Sequence, residues 1–194
     1  MAVVGRLHSI ETMGLVDGPG IRTVFFLQGC PLRCSYCHNP DSQNMFSKQQ
    51  ITPEEVLKTA LRYKTYYNRS GGGVTFSGGE PLLQGEFLVE ALKLLKEAGI
   101  NTAIDTSGFG DERYFKDILE LVDVVILDIK HYSDEGYKSI TGRSKHRFKK
   151  FLSYLEDFHG TIWLRHVMVP SITDNEESIY GLFNEISYLA DKID

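Results

Sequence analysis

Three cysteines, Cys30, Cys34 and Cys37, fall within eight residues of a 194-residue chain that has no other cysteine. A secreted disulfide framework would spread an even number along a small chain. Clustered thiols read instead as a metal or redox site, because soft thiolates select zinc, copper(I) or iron–sulfur clusters. A structural zinc ion wants four closed ligands, and His38 makes a poor fourth because it adjoins Cys37. A 4Fe-4S cluster on three thiolates keeps one iron open for chemistry. Spacing alone leaves three readings, with the cluster ahead of a zinc site and of free core thiols.

The other candidates for chemistry each follow a short apolar run. Ser77-Gly78-Gly79-Glu80-Pro81 comes after residues 73–76, and Asp105-Thr106-Ser107 after 101–104. Asp128 and Lys130 close the run 122–129, and Arg165 and His166 lie within 161–169. With 23–28, which leads into the cysteines, these five runs have the near-continuous apolar pattern of strands buried on both faces.

Helical signals fill the gaps. Thr52-Pro53-Glu54-Glu55 is a capping box with Pro at the first helical position. A second helix is expected over 86–98, stopped by Gly99, and a third over 111–121. A fourth runs through Phe148, Phe151, Leu152, Leu155 and Phe158 to Gly160. Thr173-x-x-Glu176 reads as another capping box, opening a last helix. Five βα units make an α/β fold with a parallel sheet. Ligands in such sheets gather at the carboxyl ends of the strands, which is where the chemistry-bearing residues fall.

Composition narrows the class. The chain is 42% apolar and 24% charged with a net charge of −5, so a disordered or fibrous protein is excluded. An acidic chain without an evident basic patch argues against nucleic acid as a partner. No apolar window approaches a membrane span, and residues 1–10 lack a secretion signal. The expectation is one cytoplasmic domain over residues 1–194. Gly71-Gly72-Gly73 is not a P-loop, since no Gly-Lys-Ser/Thr follows.

The CxxxCxxC spacing, with Tyr36 before the last cysteine, resembles the defining motif of the radical S-adenosylmethionine enzymes. Residues 77–81 resemble that family's GGEP motif. Gly5-Arg6-Leu7-His8-Ser9, Cys37-His38-Asn39-Pro40 and residues 70–75 are similar to one group within it, the activating enzymes of glycyl radical enzymes. Asp105-Thr106-Ser107-Gly108 and Leu127-Asp128-Ile129-Lys130 match in order, and so does Asp17-Gly18-Pro19-Gly20-Ile21-Arg22.

The resemblance implies a partial (β/α) barrel with five βα units here of an expected six. It implies that Cys30, Cys34 and Cys37 ligate three irons of a 4Fe-4S cluster and that S-adenosylmethionine chelates the fourth. Tyr36 and His38 would flank the adenine, while Gly78, Gly79 and Glu80 would receive the methionine ammonium. Lys130 would meet the carboxylate, with Ile129 beside it and Asp128 on the ribose side. Asp105, Thr106 and Asp128 offer hard oxygens to a monovalent cation. Asp17, Gly18, Pro19, Gly20, Ile21 and Arg22 would receive the partner's glycine-bearing loop. The implied partners are a glycyl radical enzyme, pyruvate formate-lyase first, and a flavodoxin- or ferredoxin-type electron donor, acting on a monomer.

Two alternatives stand beside it. One is an activase of another glycyl radical enzyme, such as the anaerobic ribonucleotide reductase; the other is a zinc-stabilised, non-catalytic α/β binding domain. The family continues into a sixth strand bearing a further cofactor-contacting His. The chain therefore reads as C-terminally short, with an open edge at its fifth strand.

Overall fold

The computed structural model describes residues 3–194. Seven strands form one sheet: β1 Gly5–Gly14, β2 Arg22–Leu27, β3 Gln49–Ile51, β4 Gly73–Gly78, β5 Asn101–Thr106, β6 Val124–Asp128 and β7 Thr161–Arg165. Six α-helices accompany them among the described residues: α1 Pro53–Ser70, α2 Gly85–Glu97, α3 Phe115–Leu121, α4 Asp134–Thr141, α5 His146–Leu155 and α6 Glu176–Ile186. The sheet order is β3-β1-β2-β4-β5-β6-β7. From β2 to β7 every pairing is parallel, as five consecutive βα units require. β1 and β3 add an antiparallel margin beyond β2 that the apolar runs did not announce.

The register divides the sheet into two faces. Phe25, Phe76, Ile104, Val125, Leu127 and Ile162 point toward the helices and join one large core. Phe76 stacks on Phe25 at 5.8 Å and meets Phe87 of α2 edge-on at 6.2 Å, contacts worth about 0.5–1.5 kcal/mol each beyond burial. The opposite face carries Ala103, Val124 and Ile126 with a half-covered Trp163. At its carboxyl end this second face turns polar, with Ser77, Asp105, Asp128 and Arg165. A burial pattern that changes character along the strand is what opens a site there.

Local signals account for most element ends. Thr52 Oγ1 accepts from Glu55 N at 3.3 Å while Glu55 Oε2 accepts from Thr52 N at 2.9 Å, the reciprocal capping box opening α1. α4 lies where no helix was expected, although Ser133 caps it and Gly142 ends it. The last helix starts differently from expectation. Asn175 is its N-cap, accepting from Ser178 N at 2.8 Å. Thr173 instead turns its hydroxyl to Val167 O and Val169 N, both at 2.7 Å. Those bonds occupy backbone groups that would have extended β7, so the strand stops at Arg165 and not at 169. The outer edge of β7 is partly covered, because Ile193 bridges Ile162 in parallel and Asp194 N donates to Ile162 O at 3.1 Å. No helix among the described residues is long and apolar enough to cross a membrane.

Candidate active site

The loop leaving β2 carries the three thiols, and a second element clamps it. Arg33 N and Ser35 N donate to Thr141 O and Ile140 O at the end of α4 (2.8 and 3.1 Å). Arg33 Nη1 caps Cys30 O and Leu32 O, both at 2.7 Å, while Leu32 itself is buried. Cys37 N returns to Cys34 O at 3.1 Å. The thiols are free and half-buried. Burial, reinforced by the nearby Glu80 carboxylate, pushes the Cys30 thiol up to about 12. Burial also raises Cys34, with Lys130 opposing it.

These thiols open onto a cavity of about 490 Å³ at the carboxyl ends of the parallel strands. Of the residues expected there, it gathers Asp17, Cys30, Cys34, Tyr36, Cys37, His38, Gly78, Gly79, Asp105, Thr106, Asp128 and Lys130. Gly78 takes φ +108°, and a Cβ on Gly79 would run into the backbone of Gly29 and Ser42. The Gly-Gly pair thus brings the β4 backbone against the cysteine loop, where Glu80 N bonds Gly29 O at 2.9 Å.

Glu80 does not line the cavity. It is 1% exposed, and its carboxylate accepts four hydrogen bonds. Oε1 takes Thr106 Oγ1 (2.5 Å) and Leu82 N (3.1 Å); Oε2 takes Ser107 N (2.9 Å) and Ser107 Oγ (2.5 Å). Its lone pairs are therefore spent fixing the end of β5 against β4, and none is left facing a ligand ammonium. Ile129 is likewise buried, at 1% exposure.

Arg22 departs further from expectation. It is fully buried and donates to Thr75 Oγ1 (2.6 Å), Val74 O (2.8 Å), Pro19 O (3.0 Å) and Asn101 Oδ1 (3.0 Å). Burial brings its guanidinium down to about 10. Ile21 N is tied to Ser70 Oγ and Gly20 packs against Gly72, so residues 18–22 are built into the scaffold at the amino ends of the strands. Of the expected segment 17–22 only Asp17 lines the cavity, with Val16 just before it.

The polar wall has its own order. Lys130 Nζ pairs with Asp128 Oδ2 at 2.5 Å and lies 5.7 Å from the Tyr36 ring centre. Burial works against its charge, but Asp128 and Cys34 outweigh it, and the ammonium is held above its ordinary range. Asp105 Oδ2 takes Ser77 Oγ (2.9 Å) and Arg165 Nη1 (2.7 Å), while Arg165 Nη2 reaches Val16 O at 3.0 Å. Arg165 therefore joins the far strand to the loop crossing this face. That role was not legible beforehand, since a lone Arg on a strand carries no spacing signal.

Tyr137 on α4 was missed with its helix. It is fully buried, and its hydroxyl has no partner. Asp128 Oδ1 and Tyr36 Oη, on residues lining the cavity, are also buried without a partner. Unpaired buried polar atoms are costly and mark where a polar ligand would satisfy them. Among the described residues no three His, Cys, Asp or Glu side chains converge on one ion position. Three free thiols on one loop, buried polar atoms without partners and a cavity of about 490 Å³ suit an iron–sulfur cluster with a polar co-ligand.

The Radical SAM superfamily family model matches residues 24–183, from within β2 through the parallel strands to α6. The chain belongs to the radical SAM superfamily. It is 60% identical over 184 residues to the pyruvate formate-lyase-activating enzyme of Clostridium pasteurianum, covering 95% of this chain and 77% of that one. It is 43% identical to the pyruvate formate-lyase 1-activating enzyme of Escherichia coli K12, covering 94% and 75% respectively. Within the superfamily it thus falls in the family of these activating enzymes. Among solved structures, Streptococcus suis SuiB bound to its precursor peptide SuiA aligns with a TM-score of 0.67 at 18% identity, over 88% of this chain and 37% of that one. That likeness concerns the fold alone.

Proposed function

We propose that the chain activates a glycyl radical enzyme, pyruvate formate-lyase, by reductive cleavage of S-adenosylmethionine and removal of a hydrogen from a backbone glycine of that partner. The observation that carries this reading is one cavity shared by Cys30, Cys34, Cys37 and the Asp128–Lys130 pair. Kinship with the activating enzymes supports the choice of partner. A 4Fe-4S cluster held by Cys30, Cys34 and Cys37 would supply the electron that breaks the sulfonium C–S bond of S-adenosylmethionine, whose 5′-deoxyadenosyl group would take the hydrogen.

The chain's own residues bind, orient and exclude water. The three thiolates would hold the cluster, and the Gly78–Gly79 backbone would leave room for the methionine end of S-adenosylmethionine. Asp128 Oδ1 awaits a donor from the ligand, and Lys130 sets a positive charge beside it for a carboxylate. Tyr36 and His38 would wall the adenine side. Val16, which lines the cavity with Asp17, and its neighbour Leu15 are 78% and 72% exposed and offer apolar surface to an entering partner loop. A monovalent cation at Asp105, Thr106 and Asp128 would compete with Arg165, the Gly108 N–H and Lys130 for their oxygens. The electron donor would be of the flavodoxin or ferredoxin type, and the chain would act as a monomer.

The test is anaerobic reconstitution with iron and sulfide, followed by reductant, S-adenosylmethionine and pyruvate formate-lyase. A brown protein releasing 5′-deoxyadenosine is expected. Cys34→Ala should lose both colour and release while keeping its circular dichroism. Retained cleavage in that variant would contradict the assignment.

A further inference from the structure

The net charge of −5 conceals a strongly uneven distribution. Lys138, Arg143, Lys145, Arg147, Lys149 and Lys150 fall within 13 residues that contain no Asp or Glu. This basic segment spans the end of α4 and the first half of α5, and α4 is the helix that clamps the cysteine loop.

Four of these six cations already have partners. Lys145 is buried against Glu185 and Tyr132 O, Lys149 pairs with Asp134, and Lys150 with Glu112. Arg147 covers the Phe109 ring and donates to Gly110 O. Lys138 and Arg143 remain, and beside them Arg33 of the cysteine loop. All three are exposed, and among the described residues none has a carboxylate in ion-pair contact. Two are fastened to the loop itself: Arg33 through Cys30 O and Leu32 O, and Arg143 Nε through Pro31 O at 3.0 Å. Each guanidinium is thus oriented by a backbone carbonyl, with further N–H groups left for a carboxylate. None of the three lines the cavity, so they do not meet S-adenosylmethionine.

We infer that Arg33, Lys138 and Arg143 form the docking face for an acidic protein that carries a one-electron centre. The inference rests on the cluster reading above and adds the surface through which the electron arrives. Electron transfer weakens steeply with distance, so a protein donor has to settle against the loop that holds the cluster. Three cations without a carboxylate partner adjoin the loop that carries the thiols, and charge complementarity steers an acidic partner onto that face. One electron leaves the carrier's cofactor and enters the cluster; no bond forms or breaks. A nucleic acid would also be drawn to cations, but three of them around one loop lack the extended stripe that a phosphate backbone follows.

The experiment uses the reconstituted chain and reduced flavodoxin as the acidic carrier. Cluster reduction is followed by absorbance in stopped flow from low to high ionic strength, with dithionite as the small-molecule control. Binding of oxidised flavodoxin is measured in parallel by calorimetry. The association rate should fall steeply with salt. Lys138→Glu/Arg143→Glu should lower it at least tenfold at low salt and weaken binding to match, while Arg143→Lys keeps most of the rate and dithionite reduces all variants equally. Unchanged flavodoxin rates and affinity in the double variant would overturn the inference and leave the cluster reading standing. The same holds if the double variant loses affinity for a DNA duplex or for pyruvate formate-lyase and not for flavodoxin. A wild-type chain that dithionite cannot reduce would instead bring down the cluster reading.

Discussion

Glu80 shows how an acid in a ligand-binding motif can serve the scaffold. Its carboxylate accepts four hydrogen bonds inside the protein, yet burial still raises it above the ordinary carboxylate range. Between that range and the raised value, the folded chain holds a proton there that the unfolded chain has released. The folded state then binds more protons, so stability falls as pH rises across the window. Glu80→Gln removes that slope and breaks contact with a Ser107 donor. The variant should be weaker by about 1–3 kcal/mol at the acid end, with the gap narrowing as pH rises. Urea midpoints of the apoprotein against pH check this. The cysteines stood out as candidate metal ligands from spacing, because thiol chemistry is restricted to few uses, and the fold brings all three to one cavity. Glu80 was not legible as scaffold, because residue type does not tell where a carboxylate's lone pairs are spent. Arg22 teaches the same lesson. Arg22→Met should cost about 1–3 kcal/mol by taking a donor from Val74 O, Pro19 O and Asn101 Oδ1, with the KM for the partner enzyme unchanged. A raised KM without loss of stability would return Arg22 to the partner-binding surface.

At the scale of elements, the parallel strands were readable because each is an apolar run followed by polar residues. β1 escaped notice since its pattern mixes buried and exposed positions around two register shifts. α4 escaped because it is only eight residues long, although its Ser133 cap and Gly142 stop are visible in hindsight. The false capping box at Thr173 has a physical reason: Asn175 competes for the same helix start, and the Thr173 hydroxyl finds better use bridging the end of β7. The segment joining α4 to α5 is anchored to α6 by the Lys145–Glu185 pair at 2.6 Å, with Lys145 fully buried. Removing one partner strands a buried charge. Lys145→Met should therefore cost about 3–5 kcal/mol, whereas Lys145→Met/Glu185→Leu should be near neutral. Thermal melts of the two variants and of Glu185→Leu complete the cycle; an additive double variant would mean the pair is not coupled.

Across the whole molecule, two faces of one sheet do different work. The helix-covered face supplies the apolar core, and the other turns polar at the carboxyl ends of β4 to β7, where cysteine loop, Gly-Gly turn and Asp128–Lys130 pair meet. Order along the chain was enough to foresee that meeting, since parallel βα units deliver every strand end to one side. Uneven surface charge was not foreseen, because net charge averages over the chain while docking depends on which cations are left unpaired. The central claim is that a hydrogen of a partner's backbone glycine is transferred to the 5′-deoxyadenosyl group within this cavity. It is tested most directly with pyruvate formate-lyase carrying glycine deuterated at its α-carbon, mixed anaerobically with the reduced, reconstituted chain and S-adenosylmethionine. Mass spectrometry should find singly deuterated 5′-deoxyadenosine in step with a glycyl radical signal. Unlabelled 5′-deoxyadenosine with no such signal would contradict the account.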